Sequence, residues 1–213
     1  MRILTAILAL TLSASMATAG PVNFNAWRTH WFAFFSKVTF APSAGAIGVT
    51  ADGSVSITYE RLGPKDWDTD KASWRWAVDS SVPATDLRQK GGDDRNLALY
   101  FAFLPKPEAE RLQGTRSLRK LLNHPDGRVL VYVWGGEHQR GAVLGSPYLG
   151  PRGKTIVLRP SGTGSHAETV DLAADYRRAF GAAPEALVAL ALSADSDDTD
   201  VIMQGQVSNL RLQ

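Results

Sequence analysis

Two runs of this chain, LALYFAF from Leu97 to Phe103 and VLVYVW from Val129 to Trp134, are apolar at odd and even positions alike. Successive side chains of a strand point to opposite faces, so both runs predict central strands covered on two sides. Ser54 to Tyr59 (SVSITY) and Trp74 to Val78 (WRWAV) alternate instead, which predicts strands with one face in solvent. Further strands are expected at Ser36 to Phe40, Lys154 to Leu158, Ala186 to Leu192 and Gln206 to Leu212. Eight or more short strands broken by Gly, Pro, Asp and Ser, without alternating helices, predict an all-β fold. The expected form is a jelly-roll-type β-sandwich, galactose-binding-like, with one or two short peripheral helices.

Two segments depart from the strand pattern. Pro107 to Asn123 places Leu118, Leu121 and Leu122 at helical spacing, turns Arg111, Arg116, Arg119 and Lys120 elsewhere, and is interrupted by Gly114. It reads as a helical insertion with a solvated basic face. Asp171 to Gly181 has an N-cap in Asp171, one face formed by Leu172, Tyr176 and Phe180, and a left-handed C-terminal stop in Gly181. Its three apolar residues are expected to plug an end of the sandwich.

The chain opens with Arg2, an apolar core from Ile3 to Leu12, and the small triplet Ala17-Thr18-Ala19 before Gly20. That layout predicts a signal peptide over residues 1–19, cleaved after Ala19. Its apolar stretch is shorter than the about 20 residues a spanning helix needs, and no later stretch is longer. The expectation is an exported protein, periplasmic or secreted, with one β-sandwich domain over residues 20–213 and no transmembrane segment after cleavage.

With no cysteine in the sequence, disulfides, thiol catalysis and thiolate metal sites are excluded. A formal charge of +2 before cleavage is too small to imply a nucleic-acid partner. Gly153-Lys154-Thr155 resembles the end of a phosphate-binding loop, but Tyr148 stands where its first glycine belongs. No serine has the G-x-S-x-G flanks of an esterase nucleophile. His30, His124, His138 and His166 are isolated and form no metal-binding pair.

The stretch from Leu192 to Asp200 (LSADSDDTD) gathers four aspartates. Counted from Asp195 as an EF-hand it has no glycine at the sixth position and Gln206 at the twelfth, so it is not one. A looser structural calcium site on Asp195, Asp197 and Asp198 and a plain polar turn remain as its two readings. Calcium is the one cofactor the residues suggest. Asp93 and Asp94, after Gly91-Gly92, form a second acidic turn that either meets the first at one end of the sandwich or accepts backbone hydrogen bonds.

Trp74 and Trp76 share one face of their strand, as do Tyr132 and Trp134, while Tyr100 lies on the small-residue face with Ala98 and Ala102. The first four rings are candidates for stacking on sugars, and core packing is the competing reading.

Four blocks resemble an uncharacterised bacterial family, the domain-of-unknown-function family numbered 3047. They are WRWAVDSSVPATDLRQKGGDDRNLALYFAF from Trp74, LVYVWGG from Leu130, DLAADYRRAFG from Asp171 and ALVALALSADSDDTD from Ala186, in order across about residues 24–212. The family pattern has Asn and Gly where this chain has Asp198 and Asp200, and a tryptophan where it reads Ser165-His166-Ala167-Glu168. The resemblance implies a single domain, a Gram-negative host and hence the periplasm, and a likeness to carbohydrate-binding jelly rolls.

The expected function is therefore a non-enzymatic module binding a glycan or another polar cell-envelope ligand through Trp74, Trp76, Asp93, Asp94, Tyr132 and Trp134. Its rivals are an enzyme acting on envelope polysaccharide through paired aspartates and a structural envelope protein that binds another protein. A buried acid in a pocket would favour the enzyme.

Overall fold

The computed structural model describes residues 20–31, 37–115, 117, 120, 121 and 123–213. The predicted signal peptide, the start of the strand expected at Ser36, and Arg116, Leu118, Arg119 and Leu122 of the basic segment lie outside the described residues. The strands are β1 (Gly20–Pro21), β2 (Arg28–Trp31), β3 (Thr39–Pro42), β4 (Ala46–Asp52), β5 (Val55–Arg61), β6 (Lys71–Ser80), β7 (Arg95–Leu104), β8 (Arg128–Trp134), β9 (Val143–Ser146), β10 (Gly150–Arg159), β11 (Gly164–Asp171), β12 (Ala186–Asp195) and β13 (Ile202–Leu212). The helices are α1 (Lys106–Arg111) and α2 (Leu172–Phe180).

One sheet runs β11-β6-β13-β4-β3 with β1 also on β13, and the other runs β2-β5-β12-β7-β8-β10-β9. Among the described residues only β8 and β10 pair in parallel. From β4 to β7, and again from β10 to β13, strands adjacent in sequence fall in opposite sheets. That interleaving makes a jelly-roll-type β-sandwich with short helices at its periphery, as the strand pattern predicts.

The space between the sheets is filled by large rings. β6 contributes Trp74 and Trp76 and the facing strands contribute Phe101, Tyr132 and Trp134, all at 2% exposure or less. Trp74 meets Trp76 edge-on at 5.4 Å and Tyr132 at 5.8 Å, and Trp76 meets Trp134 at 5.6 Å. Edge and tilted contacts of this kind add to the large apolar area such rings bury. The Tyr132 hydroxyl donates to Asp175 Oδ2 on α2 at 2.7 Å, which satisfies the one polar atom on that ring.

Helix α2 follows its sequence signals closely. Asp171 Oδ1 accepts from the Ala174 amide at 2.7 Å, and Gly181 closes the helix at φ +74°. Leu172, Tyr176 and Phe180 join the inter-sheet core, where Tyr176 packs on Phe103 at 5.1 Å. The basic segment is helical only at α1 and at Lys120–Leu121 among its described residues, with a turn through Leu112 and Gly114 between them.

The seven-stranded sheet is covered on both faces near its centre, and β12 is buried at all ten positions. Its inward residues Leu187, Leu190 and Leu192 join the ring-filled core, whereas Ala189 and Ala191 belong to the clusters on the other face. Truncating Trp134 to alanine should cost about 3–5 kcal/mol of stability, measured by chemical denaturation. A loss below about 1 kcal/mol would contradict its place in the core.

Candidate functional site

The outer face of the seven-stranded sheet carries a cleft of about 410 Å³. Its floor comes from five adjacent strands: Val55 and Ile57 of β5, Ala189 and Ala191 of β12, Tyr100 and Ala102 of β7, Val129 and Val131 of β8, and Thr155 of β10. Alanine and valine on this face leave the space that the rings fill on the other. Leu87, Pro147, Tyr148 and Leu149 rise as walls from two loops. Leu87 is seated by Gly136, which has φ +76° and whose added Cβ would lie 2.6 Å from Leu87 Cγ.

One end of the cleft is polar, and a β-bulge builds it. On a regular strand Arg95 and Tyr100, five residues apart, would point to opposite faces. Between Ser193 and Asp195 the pairing of β12 with β7 shifts register, so Arg95 turns out to the face of Tyr100. Arg95 Nη1 contacts Asp93 Oδ2 at 2.9 Å and Asp195 Oδ2 at 3.0 Å, and its Nη2 donates to the Tyr100 hydroxyl at 3.2 Å. That hydroxyl lies 3.0 Å from Ser193 Oγ, and the Tyr148 hydroxyl donates to Asp93 Oδ1 at 2.9 Å.

The two aspartates on Arg95 have different surroundings. Both oxygens of Asp93 have donors. Asp195, 5% exposed, has no hydrogen-bond partner at its buried Oδ1. Burial pushes the Asp195 carboxyl up to about 8; Arg95 pulls against that shift, while Asp197, which lies within hydrogen-bond reach, and Asp94 add to it. Burial and the acceptor Asp93 likewise push the Tyr148 hydroxyl up to about 12, so it remains a donor at neutral pH.

The acidic turns meet at this end of the sandwich but divide their tasks. Asp94, fully buried, accepts from the Asp198 and Thr199 amides at 3.3 and 2.7 Å and from the Thr199 hydroxyl, so it caps the 195–200 turn. The carboxylates drawn together are those of Asp94, Asp197 and Asp198. The calcium set Asp195, Asp197 and Asp198 needs correction, because Asp195 is turned to Arg95 and Asp94 takes its place beside the other two with its lone pairs largely engaged. Asp197 and Asp198 are exposed on the turn.

The stacking platform also needs correction. Trp74, Trp76, Tyr132 and Trp134 lie between the sheets with no ring face open to a ligand. Of the expected ligand residues, Asp93 is in the cleft and Asp94 is beneath the turn. Arg95, Tyr148 and Ser193 were not singled out by the sequence. A charged residue opening a doubly apolar strand was the one available signal, and it points to Arg95.

A family model described as protein of unknown function, DUF3047, matches residues 25–211. The chain belongs to the DUF3047 family. No curated protein is similar to it in sequence. Among solved structures, the xyloglucanase domain of NopAA, a type three effector from Sinorhizobium fredii in complex with cellobiose, is 10% identical with a TM-score of 0.47, covering 94% of this chain and 99% of that one. The family 11 xylanase from Neocallimastix patriciarum is 12% identical with a TM-score of 0.38, covering 83% and 85%. Endoglucanase 3 of Trichoderma harzianum, from family GH12, is 9% identical with a TM-score of 0.35, covering 83% of each. Nothing about the chemistry of this DUF3047 member follows from likeness at that level.

Two outcomes test the electrostatics of the cleft. The unfolded chain releases the Asp195 proton near 3.8 and the folded chain near 8, so between those values the folded state holds the extra proton. Stability contributed by this group is therefore present below about 4 and is lost as pH rises towards 8, by up to about 1.4 kcal/mol per pH unit. Asp195→Asn should flatten that part of the melting-temperature profile, and an unchanged slope would contradict the assignment. Millimolar calcium after EDTA treatment should leave the melting temperature unchanged, whereas a reversible rise would restore the cation reading.

Proposed function

We propose that this DUF3047 protein binds a polysaccharide or a similar polyhydroxylated chain along the cleft of its seven-stranded sheet. The observation that carries this reading is the arrangement of an apolar trough ending in the Asp93, Arg95, Tyr100, Tyr148, Ser193 and Asp195 network. A sugar ring is apolar on its C–H faces and ringed by hydroxyls, so it suits a floor of alanine and valine beside fixed donors and acceptors. Five strands about 4.8 Å apart give the trough a width of about 20 Å, enough for several sugar units.

Tyr148 is the aromatic residue placed to stack on the ligand, since it is 55% exposed on the cleft wall. Lys90 lies 5.5 Å from its ring centroid. The leader-like residues 1–19 support the cell envelope, on the periplasmic or outer side, as the place where such a polymer is met. Among the described residues no helix is long and apolar enough to cross a membrane. The exposed large hydrophobic side chains among them are three, Val143 and Tyr148 on the β9–β10 hairpin and Ile202 at the start of β13, which gives little support to a broad protein-docking face.

Affinity electrophoresis against soluble β-1,4-glucan, β-1,4-xylan, β-1,3-glucan and solubilised peptidoglycan tests the reading. Retardation by at least one polymer is expected, and Tyr148→Ala should weaken it about tenfold or more while leaving the fold intact. Absence of retardation by any polymer, or indifference to Tyr148→Ala, would overturn it.

A further inference from the structure

The polar end of the cleft holds more than a binding site for hydroxyls requires. Asp195 is a buried carboxyl with one oxygen on Arg95 and the other without a donor, and the exposed carboxyl of Asp197 lies within hydrogen-bond reach of it. A buried acceptor with no donor is costly. A proton on Asp195 removes that cost, because the hydroxyl so formed donates to Asp197. The two groups then hold one proton between them. Asp197 lines the cleft, so the shared proton is available to whatever lies there.

Across Arg95 stands a second carboxylate of opposite character. Asp93 is held by Arg95 and by the Tyr148 hydroxyl, so both of its oxygens accept from donors. Two carboxyl groups set in contrasting surroundings on one cation are an arrangement from which an acid and its partner base or nucleophile can be drawn. Resting on the reading of the cleft as a polysaccharide site, we propose that the protein hydrolyses a glycosidic bond of the polymer it binds, with the Asp195–Asp197 pair supplying the proton and Asp93 the nucleophile.

In the first step the one proton of the pair passes from Asp195 through Asp197 to the bridging glycosidic oxygen, leaving both carboxyl groups ionised. The bond from the anomeric carbon to that oxygen breaks, its electron pair stays on the oxygen, and the released fragment ends in a hydroxyl. A lone pair of the Asp93 carboxylate forms the new bond to the anomeric carbon. In the second step the pair takes a proton from water, the water oxygen bonds to the anomeric carbon, and the ester bond to Asp93 breaks with its electrons returning to the carboxylate. The net change adds one water across the glycosidic bond and leaves every protein group as it began.

The Oδ2 atoms of Asp93 and Asp195 contact the same nitrogen at 2.9 and 3.0 Å, so the nucleophile and the residue that feeds the proton donor are anchored on one guanidinium. Asp93 and Asp197 are the catalytic residues here, and Asp195, which acts through Asp197, is a positioning residue.

The test measures binding and cleavage on the same samples: retardation by the four soluble polymers named above, release of reducing ends, and the anomeric configuration of the first product by proton NMR. A polymer that is both bound and cleaved with retained configuration is expected. Asp93→Asn and Asp197→Asn should lower kcat/KM by 100-fold or more, chiefly through kcat. Asp195→Asn should move the alkaline limb of the pH–rate profile to lower pH, which loss of packing alone would not do. Asp197 is exposed, so its variant tests the proposal even where Asp93→Asn fails to fold. Binding without release of reducing ends would overturn the hydrolytic proposal and leave the binding reading in place. Inverted product, or full activity in Asp197→Asn, would also overturn it, and absence of binding to every polymer would overturn both.

Discussion

Burial on both faces of one sheet is the constraint on which the rest of this structure depends. β12 exposes none of its ten residues, and β7 and β8 beside it are nearly as dry. A strand in that position needs a layer on each side. On the inner side the layer is the second sheet, held off by Trp74, Trp76, Phe101, Tyr132 and Trp134. On the outer side it is only a set of loops and α1, resting on alanine and valine. Large rings inward and small side chains outward leave a trough, so packing and the functional site are two consequences of one pattern.

The polar end of the trough follows from a local irregularity. Without the bulge opposite Asp195, Arg95 would point into the ring-filled core, where a guanidinium has no partner. With it, one buried cation faces Asp93, Asp195 and Tyr100 together. A single positive charge among several carboxyl groups cannot satisfy them all in their ionised forms. Asp93 also has the Tyr148 hydroxyl, whereas Asp195 has an oxygen without a donor and acidic neighbours in Asp94 and Asp197. Retaining its proton is how Asp195 resolves this competition.

Much of the fold was legible in the sequence because period-two patterning, caps and turns are local signals. LALYFAF and VLVYVW became the central β7 and β8, and Asp171 and Gly181 bounded α2 as their chemistry requires. The two acidic turns do meet, through Asp94 and the Thr199 amide. The site was less legible for physical reasons. Whether a tryptophan on a strand faces the core or solvent depends on which side the second sheet covers, which no short window encodes, so the sequence left Trp74, Trp76, Tyr132 and Trp134 open to both a platform and a core reading. Arg95 was missed because its orientation depends on a bulge in a pairing with residues about 100 positions away. Tyr148 enters the site from the β9–β10 turn, and its sequence surroundings show nothing but a turn.

The account turns on Asp195 being a neutral acid beside an open cleft, and carbon-13 NMR of the aspartate carboxyl groups reads that directly. The Asp195 resonance, assigned by its loss in Asp195→Asn, would be followed from pH 3 to pH 9. The account predicts a titration midpoint at about 8. A midpoint near 4, the ordinary value for an aspartate, would contradict it.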